Sequence, residues 1–419
     1  MHRKPSMLVV LLTVFIDLVG FGIVVPLVPV FARRFEASGL TIGIILASFS
    51  VMQFIFSPIW GRLSDRLGRR PILLFSTAGA AVSYVLFALG SSLESPVAAL
   101  TAILVARAFA GACGGNITVA QAYIADITPP ENRSKRMGLI GMAFGLGFIF
   151  GPAIGGISLK HFHLNPGWVA AGLCAANFVF AFFVLAESRK PNGEPVANRP
   201  RMTQWQHTFS QRGIGLLVSV FFLSTVCFSC FESTLALLVC ANFNLDIKSD
   251  ATIATVATYL FVYCGLIAAV VQGGLIGRVV KMLGEPKVIA LSLVLTAISL
   301  AMLPFVKGNG LLSWHILGQP EGHAWWWLLA ALAILSFGSS LTRAPLFGLL
   351  SNLTAANEQG ATIGVAQSAG ALARIIGQGC APMILFASPR MLFLGCAGIL
   401  LGTSVMVIQR LRGVEPVKS

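Results

Sequence analysis

Of 419 residues, 56% are hydrophobic and only 11% charged, which excludes a soluble globular protein, because no interior of that size hides so much apolar surface. The formal net charge of +14 would suit a nucleic-acid binder. However, 20 of the 29 Lys and Arg residues fall in one set of alternating connecting segments and only six in the other, and that asymmetry is a mark of membrane topology, with both termini expected in the cytoplasm.

Apolar runs of ~20 residues, each long enough to cross ~30 Å of hydrocarbon, predict twelve spans. They are expected at 8–32, 41–60, 72–91, 97–124, 137–159, 167–186, 214–241, 251–276, 287–306, 324–349, 359–386 and 389–410. The first run is too long for a signal-peptide core and has no small-residue cleavage site behind it, so it is expected to stay as an uncleaved span. It carries Asp17, with Pro26 and Pro29 predicting a bend near its outer end. About nine residues into the helix, ~14 Å deep at 1.5 Å per residue, a carboxylate is costly unless paired, wet or protonated. A group that meets dry and wet surroundings in turn can take up and release a proton.

Between the second and third spans, residues Gly61 to Pro71 put four arginines around one acid, Asp65. The stretch is expected to be a short cytoplasmic turn. Arg107 in the fourth span reaches a depth similar to that of Asp17. The two are either a static buried ion pair, worth little net stability, or a coupling pair in which the arginine tunes the acid. The fifth span carries Gly138, Gly141, Gly145, Gly147, Gly151, Gly155 and Gly156, a smooth face for close helix approach, and Pro152, expected to kink it. Residues 187–213, with three prolines and five cations, form the long cytoplasmic linker. Its end, 202–209, is expected along the membrane surface.

In the second half, Glu232 on the seventh span is a substrate or proton site, or a helix-end acid in a wet vestibule. Arg374 on the eleventh span is its candidate partner or an anion contact. Arg343 on the tenth is expected to snorkel to the cytoplasmic end. The outer loop 307–323 carries His315 and His323, for which no ligand role is expected. It runs into Trp325, Trp326 and Trp327, read as an interfacial belt. Gln53, Asn116, Gln121, Asn177, Tyr259, Tyr263, Gln272 and Gln367 either line a cavity or bond helix to helix. All eight cysteines lie in or beside apolar runs and are expected to be free, buried and without a metal. The sequons at Asn116, Asn132 and Asn352 fall in a span or in cytoplasmic segments and should carry no glycan.

The halves repeat. Gly61 through Gly68 aligns with Gly277 through Gly284, with Lys281 in the place of Asp65, and Ala125–Arg133 aligns with the stretch around 351–359. Two six-helix halves related by a repeat, with polar sites between them, are the plan of a rocking transporter.

Four motifs carry a resemblance to the major facilitator superfamily, and within it to the twelve-helix drug:proton antiporters that include tetracycline efflux pumps. Gly61, Asp65, Arg66, Gly68, Arg69 and Arg70 resemble the signature loop. Arg107-Ala-Phe-Ala-Gly111 is similar to the membrane-embedded arginine motif. Gly147, Gly151, Pro152, Gly155 and Gly156 match the antiporter motif, which is degraded to Gly377-Gln378-Gly379-Cys380 in the second half. Asp17 with Gly20, Gly22, Pro26 and Pro29 looks like the first helix of the drug-efflux members. The resemblance implies that Asp65 and Arg69 serve the conformational switch, with Asp65 capping or pairing with the neighbouring half in one end state. It also implicates the motif's arginine, Arg107, in proton transfer.

The expected protein is therefore an all-α membrane protein of twelve transmembrane helices in two pseudo-symmetric six-helix bundles. Residues 1–186 and 214–411 form the bundles, 187–213 the linker and 412–419 a cytoplasmic tail. The expected activity is proton-coupled efflux of a small amphipathic compound or drug, with a facilitator or symporter for a sugar or organic anion as the alternative. It is no enzyme, needs no cofactor beyond the proton as coupling ion and binds no nucleic acid. It works as a monomer in the lipid bilayer, in the setting of a bacterial inner membrane. With no Walker loop, ATP drive is disfavoured.

Overall fold

The computed structural model describes residues 5–114, 116–162, 164–188, 201–211, 213–246, 249, 252, 256–312, 318, 322–354 and 359–411. Among these, twelve helical stretches are long and apolar enough to cross a membrane. Much of the expected linker, the loop around His315 and the tail from 412 lie outside the described residues.

By contacts the chain forms two compact units, Met1–Pro195 with Asp246–Gly265, and Val196–Leu245 with Leu266–Ser419. The expected division placed 246–265 in the second half. The structure groups them with the first, where the Lys160 amine reaches Tyr259 Oη at 3.4 Å and Gly265 packs on Ile149.

In the first unit, α1 (Met7–Val24) passes through a 3-10 turn, Val25–Leu27, into α2 (Val28–Arg34). The break falls at Pro26 and Pro29, where the sequence predicts a bend. Then come α3 (Gly39–Leu67), α4 (Arg69–Ser91), α5 (Pro96–Cys113), α6 (Asn116–Asp126), α7 (Pro130–Phe162) and α8 (Pro166–Val184). Ser38 Oγ caps α3 by accepting the Thr41 N–H at 3.2 Å, and Asn165 Oδ1 caps α8 through the Gly167 N–H at 2.9 Å, as side-chain oxygens do at helix starts. α7 continues through Pro152 as one helix.

The second unit contains α9 (Arg201–Ser210), α10 (Ile214–Asn242), α11 (Phe261–Val270), a π turn Val271–Leu275, α12 (Ile276–Leu283), α13 (Glu285–Met302), α14 (His323–Leu353), α15 (Gln359–Ala387) and α16 (Pro389–Leu411); α11 itself begins in the first unit and is preceded there by a π turn at Val256–Leu260. In α9, Trp205 stacks on Phe209 at 5.8 Å.

The repeat read in the sequence recurs in the packing. In the first unit α1 packs on α7 and α8, and α4 on α5 and α8. In the second unit the corresponding helices do the same: α10 on α15 and α16, and α13 on α14 and α16. The aligned glycines also behave alike. Gly68 and Gly284 both take positive φ, 101° and 77°, and each separates two helices with no other residue between them. Glycine bears that backbone at no steric cost.

Three expectations change. The basic stretch from Gly61 is no turn: α3 runs through it to Leu67 and only Gly68 turns. Charged residues beyond the bilayer surface do not oppose helix formation, so the charge pattern marks the membrane edge and not the helix end. The three tryptophans do not act alike. Trp325 is fully buried, 4.0 Å from the Phe243 ring, while Trp326 and Trp327 face outward. Successive helical residues point about 100° apart, so a run of three cannot share one face. Six cysteines are buried, but Cys264 is half-buried and Cys380 exposed. An exposed apolar surface on a span, like that of Val97, Val270 and Met391, is the surface offered to lipid.

Candidate functional site

Inside the first unit, Asp17 is 4% exposed and Arg107 2%. Asn177 Nδ2 on α8 donates to Asp17 Oδ1 at 2.9 Å and to the Thr13 carbonyl at 2.8 Å. Thr77 Oγ1 on α4 lies 3.3 Å from Asp17 Oδ2 and 2.9 Å from the Leu73 carbonyl. Cys174 lies within the electrostatic reach of Asp17, and Tyr84 within that of Asp17 and Arg107. Gly20 makes room for this cluster: a Cβ there would meet Cys174 Sγ at 2.9 Å and Tyr84 at 3.1 Å.

The Arg107 guanidinium sits over the Phe49 ring at 4.6 Å and over the Phe21 ring at 5.9 Å. A buried guanidinium gains from such faces. The glycine one turn on explains the geometry, since Gly111 lies against the Phe49 backbone and lets α5 close on α3. The other small-residue seam joins α1 to α7. Gly22 abuts the Gly147 carbonyl, Gly147 abuts Leu18, and Gly151 abuts Gly22 and Ile23. Gly155 has Ile23 at 3.3 Å from a built Cβ, and Pro152 and Gly156 are buried. The antiporter-like motif thus seats the helix that carries Asp17. In the second unit, Gly377 of the degraded copy abuts the Val226 carbonyl and Ser229 of α10, so one glycine keeps the equivalent contact without the proline.

At the end of α3, Arg69 is the hub. It binds Asp65 at 2.7 Å and Asp126 at 3.0 Å, and donates to Ser64 Oγ at 2.6 Å. Asp65 is half exposed (51%) whereas Asp126 is 26% exposed, so the second pair is the less screened and the stronger. Glu187, just past α8, accepts the N–H groups of Arg69 at 2.8 Å and Arg70 at 3.1 Å, a carboxylate on the positive end of α4. Reciprocally, Arg70 donates to the Leu185 and Phe182 carbonyls, at 2.8 and 2.7 Å, at the negative end of α8. Ser188 Oγ donates to Asp126 at 3.1 Å. Gly68 faces the Glu187 carboxylate, Arg66 is exposed, and Gly61 has only ordinary space about it, with Thr118 at 3.9 Å. Replacing Glu187 by Ala is expected to cost about 1 kcal/mol through the lost cap, read as a lower melting temperature of the purified protein; an unchanged melt would remove Glu187 from this network.

In the second unit, Glu232 is buried on α10. It acts electrostatically on Arg374 of α15, and Arg374 acts on Arg343 of α14. Glu232 and Arg374 thus lie within electrostatic reach of each other. Arg343 sits over the rings of Phe221 and Phe347 at 5.8 and 5.9 Å. Its side chain is exposed.

Among the polar candidates, Gln53 donates to the Gly114 carbonyl at 3.4 Å and Tyr259 meets Lys160. Gln121, Tyr263 and Gln367 are partly buried, and the Asn116 side chain lies outside the described set. Sequence reasoning passed over Thr77, Tyr84 and Cys174 beside Asp17, and Glu187, Ser188 and Asp126 around Arg69. Polarity within an apolar helix was the only available signal for the first three. Glu187 and Ser188 read simply as the start of a linker.

Comparison with known proteins gives the family and the fold. A family model described as Major Facilitator Superfamily matches residues 10–377. "Tetracycline resistance protein, class E" of Escherichia coli is 30% identical over 387 residues, 90% of this chain and 86% of that protein. "Multidrug resistance protein 2" of Bacillus subtilis (strain 168) is 28% identical over 388 residues, 90% of this chain and 88% of that protein. Among solved structures, the human organic anion transporter MFSD10 (TETRAN) has the same fold, with a TM-score of 0.67 at 23% identity over 96% of this chain and 98% of that one. A multi-pass membrane transporter whose two halves repeat one helix-packing scheme, the chain belongs to the Major Facilitator Superfamily.

Proposed function

We propose that the protein exports a small amphipathic organic compound in exchange for protons, with Asp17 as the coupling acid. One observation carries the reading: a carboxylate buried mid-span and held by neutral donors from α4 and α8, in the same unit as a buried arginine. Such a group is expensive in a membrane unless it works. The names of the tetracycline and multidrug resistance relatives support the substrate class. The drive is sufficient, because each proton entering gains ~2.3 kcal/mol per 100 mV and ~1.4 kcal/mol per pH unit. In this reading residues 1–186 and 214–411 rock against each other in a bacterial inner membrane, with both termini in the cytoplasm. Glu232 and Arg374 bind substrate in the second half.

A second reading is transport of an organic anion, favoured by the adjacent arginines Arg343 and Arg374. Everted membrane vesicles with an imposed acid-inside gradient separate the two. Uptake of tetracyclines or lipophilic amines that collapses with a protonophore is the expected result. Uptake of organic anions or sugars alone would overturn the efflux reading in favour of the second.

A further inference from the structure

The two Asp17 oxygens meet different partners, an amide that donates and a hydroxyl that can both donate and accept. Asn177 fixes the first. Its Nδ2 faces the Thr13 carbonyl at 2.8 Å, and a carbonyl can only accept, so the amide cannot be turned to put its oxygen there. Nδ2 therefore points one hydrogen at Thr13 and the other at Asp17 Oδ1, 2.9 Å away. Oδ1 is held as an acceptor whatever the charge on the carboxyl group.

The second oxygen is different. Thr77 Oγ1 has one hydrogen and two acceptors in reach, the Leu73 carbonyl at 2.9 Å and Asp17 Oδ2 at 3.3 Å. A hydroxyl both donates and accepts, and its hydrogen rotates to suit. With Asp17 ionised, the Thr77 hydrogen turns to Oδ2. With a proton on Oδ2, the Asp17 O–H donates to Thr77 Oγ1, and the Thr77 hydrogen turns back to Leu73. Both states are hydrogen-bonded without moving a heavy atom.

The geometry points to Thr77 as the positioning residue that lets Asp17 gain and lose a proton in place, with Oδ2 as the proton's seat. One proton arrives from water and sits on Oδ2, the charge goes from −1 to zero, and the Thr77 hydroxyl rotates. Among the described residues, Tyr84 on α4 and Cys174 on α8 interact electrostatically with Asp17, and Tyr84 does so with Arg107 on α5 as well. On the α7 side, Gly147 packs on Leu18, next to Asp17 in the chain, and Gly151 on Gly22 and Ile23, and neither glycine carries a charge. The inference deepens the antiport reading and rests on it for its transport consequence, though not for the protonation itself.

The sign of the effect follows from hydrogen-bond strength. A bond to a charged group is worth about twice a neutral one, so Thr77 favours the ionised form. Removing its hydroxyl should raise the protonation constant about tenfold and move the midpoint up by about one pH unit.

The test is pH-difference infrared spectroscopy of the purified full chain in lipid, with the Asp17 carboxyl band assigned by its loss in Asp17→Asn. Thr77→Val should shift the midpoint up by about one unit. Thr77→Ser, which keeps the hydroxyl, should restore it. Thr77→Ala replaces the valine variant if that one fails to fold. The same midpoint in wild type and in the hydroxyl-free variant overturns the inference, as does a serine variant that shifts as far as valine. If the band shifts as expected but transport moves no protons, the antiport reading fails and the role of Thr77 stands. A band that never titrates removes both.

Discussion

Asp17→Asn is expected to leave a folded protein that no longer accumulates substrate against its gradient. Asparagine has the same shape. Its Oδ1 accepts from Asn177 as the carboxylate does, and its Nδ2 can donate to Thr77 Oγ1, whose hydrogen goes to Leu73. The variant thus imitates the protonated state and stays in it. At 100 mV, each coupled proton supports about a fifty-fold concentration ratio (2.3 kcal/mol divided by about 1.4 per decade), and that ratio should fall to one. Downhill substrate movement should persist, because the side chain keeps its shape and its hydrogen bonds. Vesicle uptake with and without a membrane potential reads both quantities. Accumulation that survives in the variant would move the coupling role to Glu232.

The largest effect on stability is expected at the α1–α7 seam. A Cβ built on Gly151 would lie 2.5–2.7 Å from backbone atoms of Gly22 and Ile23. Backbone cannot swing aside as a side chain can, so a valine must push the two helices apart. Overpacking commonly costs about 1–3 kcal/mol, and Gly151→Val should reach at least the top of that range. Gly141 on the same helix has nothing within 4 Å of its Cβ position. Gly141→Ala should therefore be neutral or stabilise by up to about 1 kcal/mol, through helix propensity. Thermal melts of the two purified variants beside wild type make the comparison. Equal melting points would mean that the seam is not a close contact. Separating α1 from α7 would also draw Asp17 away from Asn177 and Thr77, so coupling should fail in the Gly151 variant that remains folded.

Much of this was legible in the residues, for identifiable reasons. Membrane spans are long and apolar throughout, so their number needs no knowledge of which face is which. Gly68 and Gly284 could be paired because the stretch that begins with Gly-Arg and ends in glycine recurs in the second half. The seam glycines of α7 announced a close approach, although not that α1 was the partner. What stayed hidden depends on helical phase and on contacts distant in sequence. Thr77 is 60 residues from Asp17 and Asn177 is 160. In an apolar helix the sequence does not say which way a single polar side chain points. The same uncertainty of phase made the three tryptophans look equivalent. Glu187 and Ser188 were hidden for another reason: a linker's first residues look like solvent-exposed chain, yet these two close the charge network on Arg69, Arg70 and Asp126.

The most direct test of the central claim uses purified protein in proteoliposomes that enclose a pH-sensitive dye, with Asp17→Asn and protein-free vesicles alongside. A tetracycline or a permanently charged quaternary ammonium compound is added outside. Exchange of substrate for protons predicts that the lumen turns alkaline as substrate enters with wild-type protein, beyond any change in the two controls. Substrate entry that leaves the lumen no more alkaline than in the controls would contradict it, and the protein would then be a facilitator.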